Sequence, residues 1–203
     1  CSNNKDMPKN NHFVSMVLTF VVFTIIGTLS HELGHIAVAK YLGYSTTLHF
    51  GSMNYESDFP YSKSHELFIL LGGPIQTTIT GCIGLFVLYK NRNEWKSINW
   101  LAVFLSLFWL RPVFNIVTSI SNYLIHGTPN PFGGDELKIS QLFGLWDGTL
   151  SVSFAILGGS ILYYLFYKVI PQSIRSTFII SGIIGSIGGY FTWFKFIGPN
   201  ILP

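Results

Sequence analysis

Charge is what this chain has least of. Only 10% of its 203 residues are Asp, Glu, Lys or Arg, against about 25% in soluble domains. That shortage excludes an ordinary water-soluble domain. With 49% hydrophobic residues and a mean hydropathy of +0.44, the class is integral membrane protein, although length alone would allow one or two domains. The net charge of +3 is small and spread along the chain, which argues against a nucleic-acid partner. Cysteine is nearly absent too. Cys1 and Cys82 make no framework, and Cys82 lies inside an apolar segment, which argues against a structural disulfide. A starting Met is lacking as well. The opening "CSNNKDMPKNN" fits either an acylated mature lipoprotein end or a truncated or engineered start, and the residues do not separate the two.

What is present is a series of apolar runs, each near the ~20 residues a bilayer requires. They cover about Phe13 to Leu42, Glu66 to Tyr89, Ile98 to Leu124, the stretch "TLSVSFAILGGSILYYLFYKVI" before Pro171, and Ile174 to Ile197. Helices are expected, since a spanning segment must satisfy its own backbone in lipid. No repeat, low-complexity tract or linker marks a second domain. Residues 44–52, "YSTTLHFGS", alternate in strand fashion, with Tyr44, Thr46, Leu48 and Phe50 on one face. A short membrane-side strand or hairpin is expected there. The segment "HGTPNPFGGDELKISQLFGL" begins with turn residues and turns amphipathic from Asp135, which suggests a short helix re-entering the bundle.

Within the first run stands "GTLSHELGHIAVAK". On a helix, His31 and His35 share a face. Two imidazoles so spaced can hold one zinc, with Glu32 as general base on a water activated by the metal. Such a site needs a third protein ligand, and nine acids and six histidines leave few candidates. Asp6, Glu56, Asp58, Glu94 and Asp147 sit in polar stretches or turns. Glu66 begins a helix, where an acid has a dipole reason to be. Asp135 follows the bendable "PNPFGG", and by alternation the ends of the first and third helices share a membrane face. Asp135 is therefore the expected third ligand. At ~1.5 Å per residue the motif lies about 10–15 Å below that face. Ionisable residues at such depth are functional by default. The competing readings are a histidine pair capping a helix end and Asp135 as an ordinary helix N-cap.

These residues resemble the site-2 protease family of intramembrane zinc metalloproteases. "HELGH" matches its zinc and base motif, "GGPIQ" (Gly72 to Gln76) the Gly-Pro motif of its second core helix, and "FNIV" followed by "PNPFGGD" its third motif. The resemblance covers about residues 14–140. It implies zinc on His31, His35 and Asp135, water activation by Glu32, and a positioning or oxyanion role for Asn115. It also implies a metalloprotease core over 13–145, between a polar tail at 1–12 and two further transmembrane helices at 146–203. The chain departs from the family pattern in three places: the long gap from Asn115 to Asp135, Glu136 where Gly is usual, and Gln76 where Asn is common. No stretch is left over within these residues for a PDZ or nucleotide-sensing domain. Substrate choice is thus expected to rest on the bundle, on a strand edge at "YSTTLHF" that could take an unwound segment, or on a partner.

Other residues carry weaker signals. Arg111 and Pro112 fall midway along the third run, where Arg faces a cavity or pairs with an acid and Pro kinks the helix. Small residues in "GCIG" and "SGIIGSIGG" read as close-packing faces. His49 and His65 read as solvated, and Trp95, Trp100 and Trp193 as interfacial. Lys5, Lys9, Lys90, Arg92, Lys96, Lys168 and Arg175 outnumber Lys40, Lys63, Lys138 and Lys195 on the opposite face. The positive-inside rule thus places the N-terminus in the cytoplasm, whereas the family's cytoplasmic site and an acylated Cys1 place it outside. The family-based orientation is the one adopted.

The fold expected is an all-α polytopic membrane protein of about five transmembrane helices, with a three-helix metalloprotease core and a short membrane-side β strand or hairpin. The function expected is hydrolysis of peptide bonds within or near transmembrane segments, in a cell membrane, with a bacterial inner membrane favoured. Its partners would be the lipid bilayer, a membrane-protein substrate and a regulatory membrane protein where one gates the site. Two other classes compete: a non-proteolytic scaffold subunit that keeps the metal core, and a small transporter with a regulatory metal.

Overall fold

Five segments long and apolar enough to cross a bilayer form helices, as the cost of unpaired backbone groups in lipid demands. The computed structural model describes residues 9–56, 62–92 and 97–203. Cys1, Asp6, Asp58, Glu94 and Trp95 lie outside the described residues. The first span is α1 (Lys9–Tyr41) and the second α2 (Lys63–Lys90). The third is α3 (Ser97–Ser106) and α4 (Leu110–His126), joined through a tight turn at Leu107–Trp109. A short α5 (Gly134–Leu142) precedes α6 (Thr149–Tyr164), which ends in a wide turn at Leu165–Val169 and forms the fourth span. The fifth contains α7 (Arg175–Phe191), a wide turn at Thr192–Ile197 and α8 (Gly198–Ile201). The protein is a polytopic helical membrane protein with one small sheet.

Exposure shows where lipid would lie. Val14, Leu18, Val22, Ile26 and Leu33 form one exposed stripe along α1, and Ile75, Ile79, Ile83 and Phe86 another along α2. Apolar residues so exposed in regular rows suit hydrocarbon and would be unfavourable in water. The inward faces pair α1 with α2 and α7, α2 with α3 and α5, and α4 with α6. An aromatic knot secures one end, where Phe20 meets Phe104 and Phe178 edge-on, with ring centroids 5.0 and 5.1 Å apart.

Glycine sets the helix spacing. A Cβ on Gly72 would stand 2.4 Å from the Gly34 carbonyl oxygen, and one on Gly34 2.5 Å from that of Gly72. The backbones of α1 and α2 therefore touch beside the histidines. On α7, a Cβ on Gly185 would meet the Val17 carbonyl oxygen at 2.6 Å, so "SGIIGSIGG" presents a close-packing face to α1.

Several expectations need correction. Helix α1 already runs at Lys9, inside the stretch read as a polar tail, since nothing from Lys9 to His12 breaks a helix that the apolar turns propagate. The break in the third span falls at Leu107–Trp109, just before Pro112. Pro112 has no N–H to give the Phe108 carbonyl one turn back, so the ladder tightens there. His65 lies in the first turn of α2 and its Nδ1 bonds Tyr44 Oη at 3.1 Å, so it is not simply solvated. Trp193 is buried, its indole N–H donating to the Phe50 carbonyl at 2.5 Å, and is no interfacial anchor.

The hairpin follows from how α1 stops. Gly43 takes φ 89°. Tyr44 N–H then reaches the Ala39 carbonyl at 3.0 Å and Gly43 N–H that of Lys40 at 3.1 Å, a Schellman closure. The chain reverses into β1 (Ser45–Leu48) and β2 (Met53–Glu56), antiparallel with Ser45 opposite Glu56 and Leu48 opposite Met53. Phe50 N–H at the tip donates to the Leu202 carbonyl at 3.0 Å. The fifth span thus holds the hairpin tip, a link between residues too distant for local pattern to show.

Candidate metal centre

The central polar group assembles from three elements. Helix α1 supplies His31, Glu32 and His35, all buried although they lie within an apolar span. Helix α2 crosses them at its Gly-Gly-Pro segment, and α5 delivers Asp135 in its first turn. Asp135 Oδ2 stands 2.9 Å from His31 Nε2 and 3.2 Å from His35 Nε2, and the two Nε2 atoms are 3.1 Å apart. Three potential ligand atoms therefore converge from residues about a hundred positions apart.

Those separations bear on whether a metal fits. Tetrahedral zinc with bonds of 2.0–2.1 Å places its ligand atoms about 3.3 Å apart. The observed triangle is within a few tenths of an ångström of that. His31, Glu32 and His35 also have ligand atoms within 4.8 Å of one another. Asp135 is nearer to both imidazoles, which makes it the better third ligand and leaves Glu32 beside the centre.

The outer faces of both rings are held. His35 Nδ1 donates to the Ile69 carbonyl at 2.7 Å, and His31 Nδ1 pairs with Thr77 Oγ1 at 2.9 Å. These contacts turn both Nε2 atoms toward the cluster, where a metal would take their lone pairs. Pro74 offers no N–H to the Leu70 carbonyl, one residue beyond Ile69 on α2. Gly73 gives the rings their room: a Cβ there would lie 2.3 Å from His35 Nε2 and 2.5 Å from His31 Nε2.

Local geometry also explains Asp135. Asn130 Oδ1 accepts from Phe132 N–H at 2.9 Å, while its amide donates to Asp147 at 2.5 Å. This folds the loop back toward the bundle. Gly134 then adopts φ 75°, a left-handed conformation that starts α5 with Asp135 aimed at the histidines. Burial alone would raise the Asp135 pKa, but hydrogen bonds with His31 and His35 outweigh it and hold the carboxyl well below its usual range. Burial pushes Glu136 upward, reinforced by the Asp135 charge and partly offset by its own backbone N–H and by Arg111.

Arg111 shares this region with the carboxyls of Glu32, Asp135 and Glu136, its Nη2 4.0 Å from Glu32 Oε1. The separations of the three ligand atoms suit a metal.

The other acids considered from sequence are placed elsewhere. Glu56 is in β2, Glu66 in the first turn of α2, and Asp147 holds the 130s loop with Asn130 and Gln141. Asn115 lines the cavity beside the polar group, with Arg111 and Thr77. Thr77 went unnoticed in the sequence, while Gly73 was seen only within the Gly-Pro motif and Glu136 only as a departure from the family pattern. The available signal was spacing, since Gly73 and Thr77 are four apart on one face of α2 and Glu136 adjoins Asp135.

A cavity of about 390 Å³ adjoins the centre between α1, α4 and α7. Thr77, Arg111 and Asn115 line it, with Tyr190 and Phe194 on the α7 side.

Fold and site together define a multi-pass helical membrane protein with a buried histidine–carboxylate group able to hold a metal. No family model, curated protein or solved structure matches the chain. The functional reading therefore rests on the geometry above.

Proposed function

We propose that the chain is an intramembrane zinc metalloprotease, hydrolysing peptide bonds within or near transmembrane segments of other membrane proteins. The observation that carries this reading is the convergence of His31 Nε2, His35 Nε2 and Asp135 Oδ2 within 3.2 Å of one another, with Glu32 alongside. The likeness of "HELGH", "GGPIQ" and "PNPFGGD" to site-2 protease motifs supports it. His31, His35 and Asp135 would hold the zinc. When bound, the ion would supply Lewis acidity to a substrate carbonyl and to a water molecule.

The chain's own residues do the rest. Glu32 takes the proton that water loses as its oxygen bonds to the carbonyl carbon. It returns that proton to the amide nitrogen as the C–N bond breaks, which leaves a carboxyl and an amine. The Thr77 and Ile69 contacts keep both imidazoles oriented. The cavity, about 390 Å³, is small for a helix of ~10–12 Å diameter, so the substrate must unwind before its carbonyl reaches Glu32. On this reading the site faces the cytoplasm of a bacterial inner membrane, with the N-terminus outside; reporter fusions at the ends of the chain would check that.

The test is Glu32→Gln, which is nearly isosteric and leaves the three ligands in place. Cleavage of membrane-helix substrates in cells expressing the chain should fall at least 10²–10⁴-fold, with zinc per chain unchanged by elemental mass spectrometry. Undiminished cellular effect with zinc retained would instead indicate a scaffold subunit. Zinc-free wild type, even after resupply, would remove the hydrolase reading.

A further inference from the structure

The polar group contains one cation that the chemistry above does not use. Arg111 is the second residue of α4, midway along the third span, with 28% of its side chain exposed, at a depth where arginine is unfavourable. A residue retained there needs a reason. Pairing with Glu32 is the simplest, but the 4.0 Å separation exceeds the 2.7–3.2 Å of a hydrogen bond. In addition, Arg111 Nε is buried and bonds nothing among the described residues. The guanidinium therefore keeps donor capacity unspent in a low-dielectric place.

Its position shows where those donors can be used. Arg111 lines the 390 Å³ cavity between α1, α4 and α7, and also a small void against His31 and Glu136. It stands at the junction of the route a substrate would occupy and the metal group. Below it on the same face of α4, at helical spacing, come Asn115, Thr118 and Asn122, all on the cavity wall. A polar row of this kind can meet the backbone groups of an unwound segment, which lipid leaves without partners. Asn115 is the residue the family resemblance assigns to oxyanion stabilisation. Asn115 lines the cavity only, whereas Arg111 also lines the void against His31 and Glu136 and its Nε bonds nothing among the described residues.

We propose that Arg111 binds the substrate's scissile carbonyl oxygen and stabilises the negative charge that develops on it. This inference rests on the metalloprotease reading and adds the residue that faces the oxygen. The guanidinium fork carries fixed, planar donors suited to an oxyanion, and a preorganised donor aimed at developing charge is worth about 10²–10³ in rate. An arginine present only to balance Glu32, Asp135 and Glu136 would be replaceable by lysine; an arginine that grips an oxyanion with two donors would not.

The experiment compares the full chain in detergent as wild type, Arg111→Lys, Arg111→Gln and Glu32→Gln, each analysed for zinc. Two compounds are titrated. One is acetohydroxamate, which binds chiefly through the metal. The other is a phosphinic tripeptide with Phe and Leu side chains, whose phosphinate imitates the tetrahedral oxyanion. Zinc and hydroxamate affinity should match wild type in both Arg111 variants, while phosphinate affinity falls about 10²-fold in each. Glu32→Gln should lose peptide cleavage and still bind phosphinate. Wild-type phosphinate affinity in Arg111→Lys would overturn the proposal in favour of charge balance. Loss of zinc in Arg111→Gln with full phosphinate binding in Arg111→Lys would overturn it likewise. Wild type that holds zinc and hydroxamate but no phosphinate overturns this proposal alone. Wild type without zinc overturns the protease reading and this proposal together.

Discussion

Between Val14 and Ile26, α1 offers mostly apolar side chains, with the Thr19 and Thr24 hydroxyls bonded back to their own helix; between His31 and Ala39 it offers imidazoles and a carboxyl to its neighbours. Both halves belong to one uninterrupted helix. The first is fixed by shape: Phe20 enters the Phe104–Phe178 knot, and Gly185 lets α7 come within contact of Val17. The second is fixed by polar partners, Ile69 and Thr77 on the outer nitrogens and Asp135 on the inner ones. Lipid tails are as apolar as the aromatic knot, so association there draws on packing more than on the hydrophobic effect. A half-satisfied polar group in the same surroundings is far more costly. The second half should therefore be less tolerant of change, and the defects should differ in kind.

The largest test of that contrast is Asp135→Ala. Removing the ligand that joins α5 to α1 should empty the centre, with zinc per chain falling from near one by elemental mass spectrometry. The loss should exceed the ~10–100-fold that removal of an outer-shell partner causes. Thermal unfolding in detergent should show a lower midpoint only when zinc is supplied, because the bound ion stabilises the wild type alone. Full zinc in the variant would mean that Glu32, within 4.8 Å of both histidines, serves as the third ligand and not as the base.

Gly73→Ala tests the same half by volume and not by charge. A methyl group placed 2.3 Å from His35 Nε2 and 2.5 Å from His31 Nε2 must displace either the rings or α2. Overpacking of this kind costs about 1–3 kcal/mol, which corresponds to roughly 5- to 150-fold in affinity. Zinc titration against a competing chelator should show a loss in that range. Unchanged affinity would mean that α2 shifts freely, and that the Gly34–Gly72 contact does not fix the crossing.

How much of this was legible in the sequence follows from which interactions are local. The five spans were, because a run of apolar residues is its own signal in a bilayer. His31, Glu32 and His35 were, because helical spacing places them on one face. Asp135 could be chosen by a topological argument, since alternation brings the helix ends together. The surroundings of the guanidinium on α4 could not. Arg111 was as compatible with a structural pair as with a site, and the acid its Nη2 approaches, Glu32, lies seventy-nine residues away on α1. Trp193 and His65 were misjudged for the same reason. Each is buried or bonded by residues brought near only by tertiary packing, Phe50 and Tyr44 respectively. Apolar composition says that a segment meets something apolar, not whether that is lipid or protein.

Phe20→Ala is the complementary test and the smallest effect expected. In a water-soluble core the loss of a buried phenylalanine costs about 3–5 kcal/mol, made up of a transfer term and a cavity term. Here the transfer term is largely absent, since the unfolded helix in a bilayer would leave that ring in hydrocarbon. The cost should fall below that range and come from the void left between Phe104 and Phe178. Because α1 is continuous and its second half has its own partners, zinc content and affinity should stay at wild-type values. Steric trapping or thermal unfolding in detergent would measure the first quantity, and chelator competition the second. A variant that loses zinc along with stability would show that the aromatic knot positions the metal centre through α1. The two halves would then act as one unit, and the contrast between them would fail.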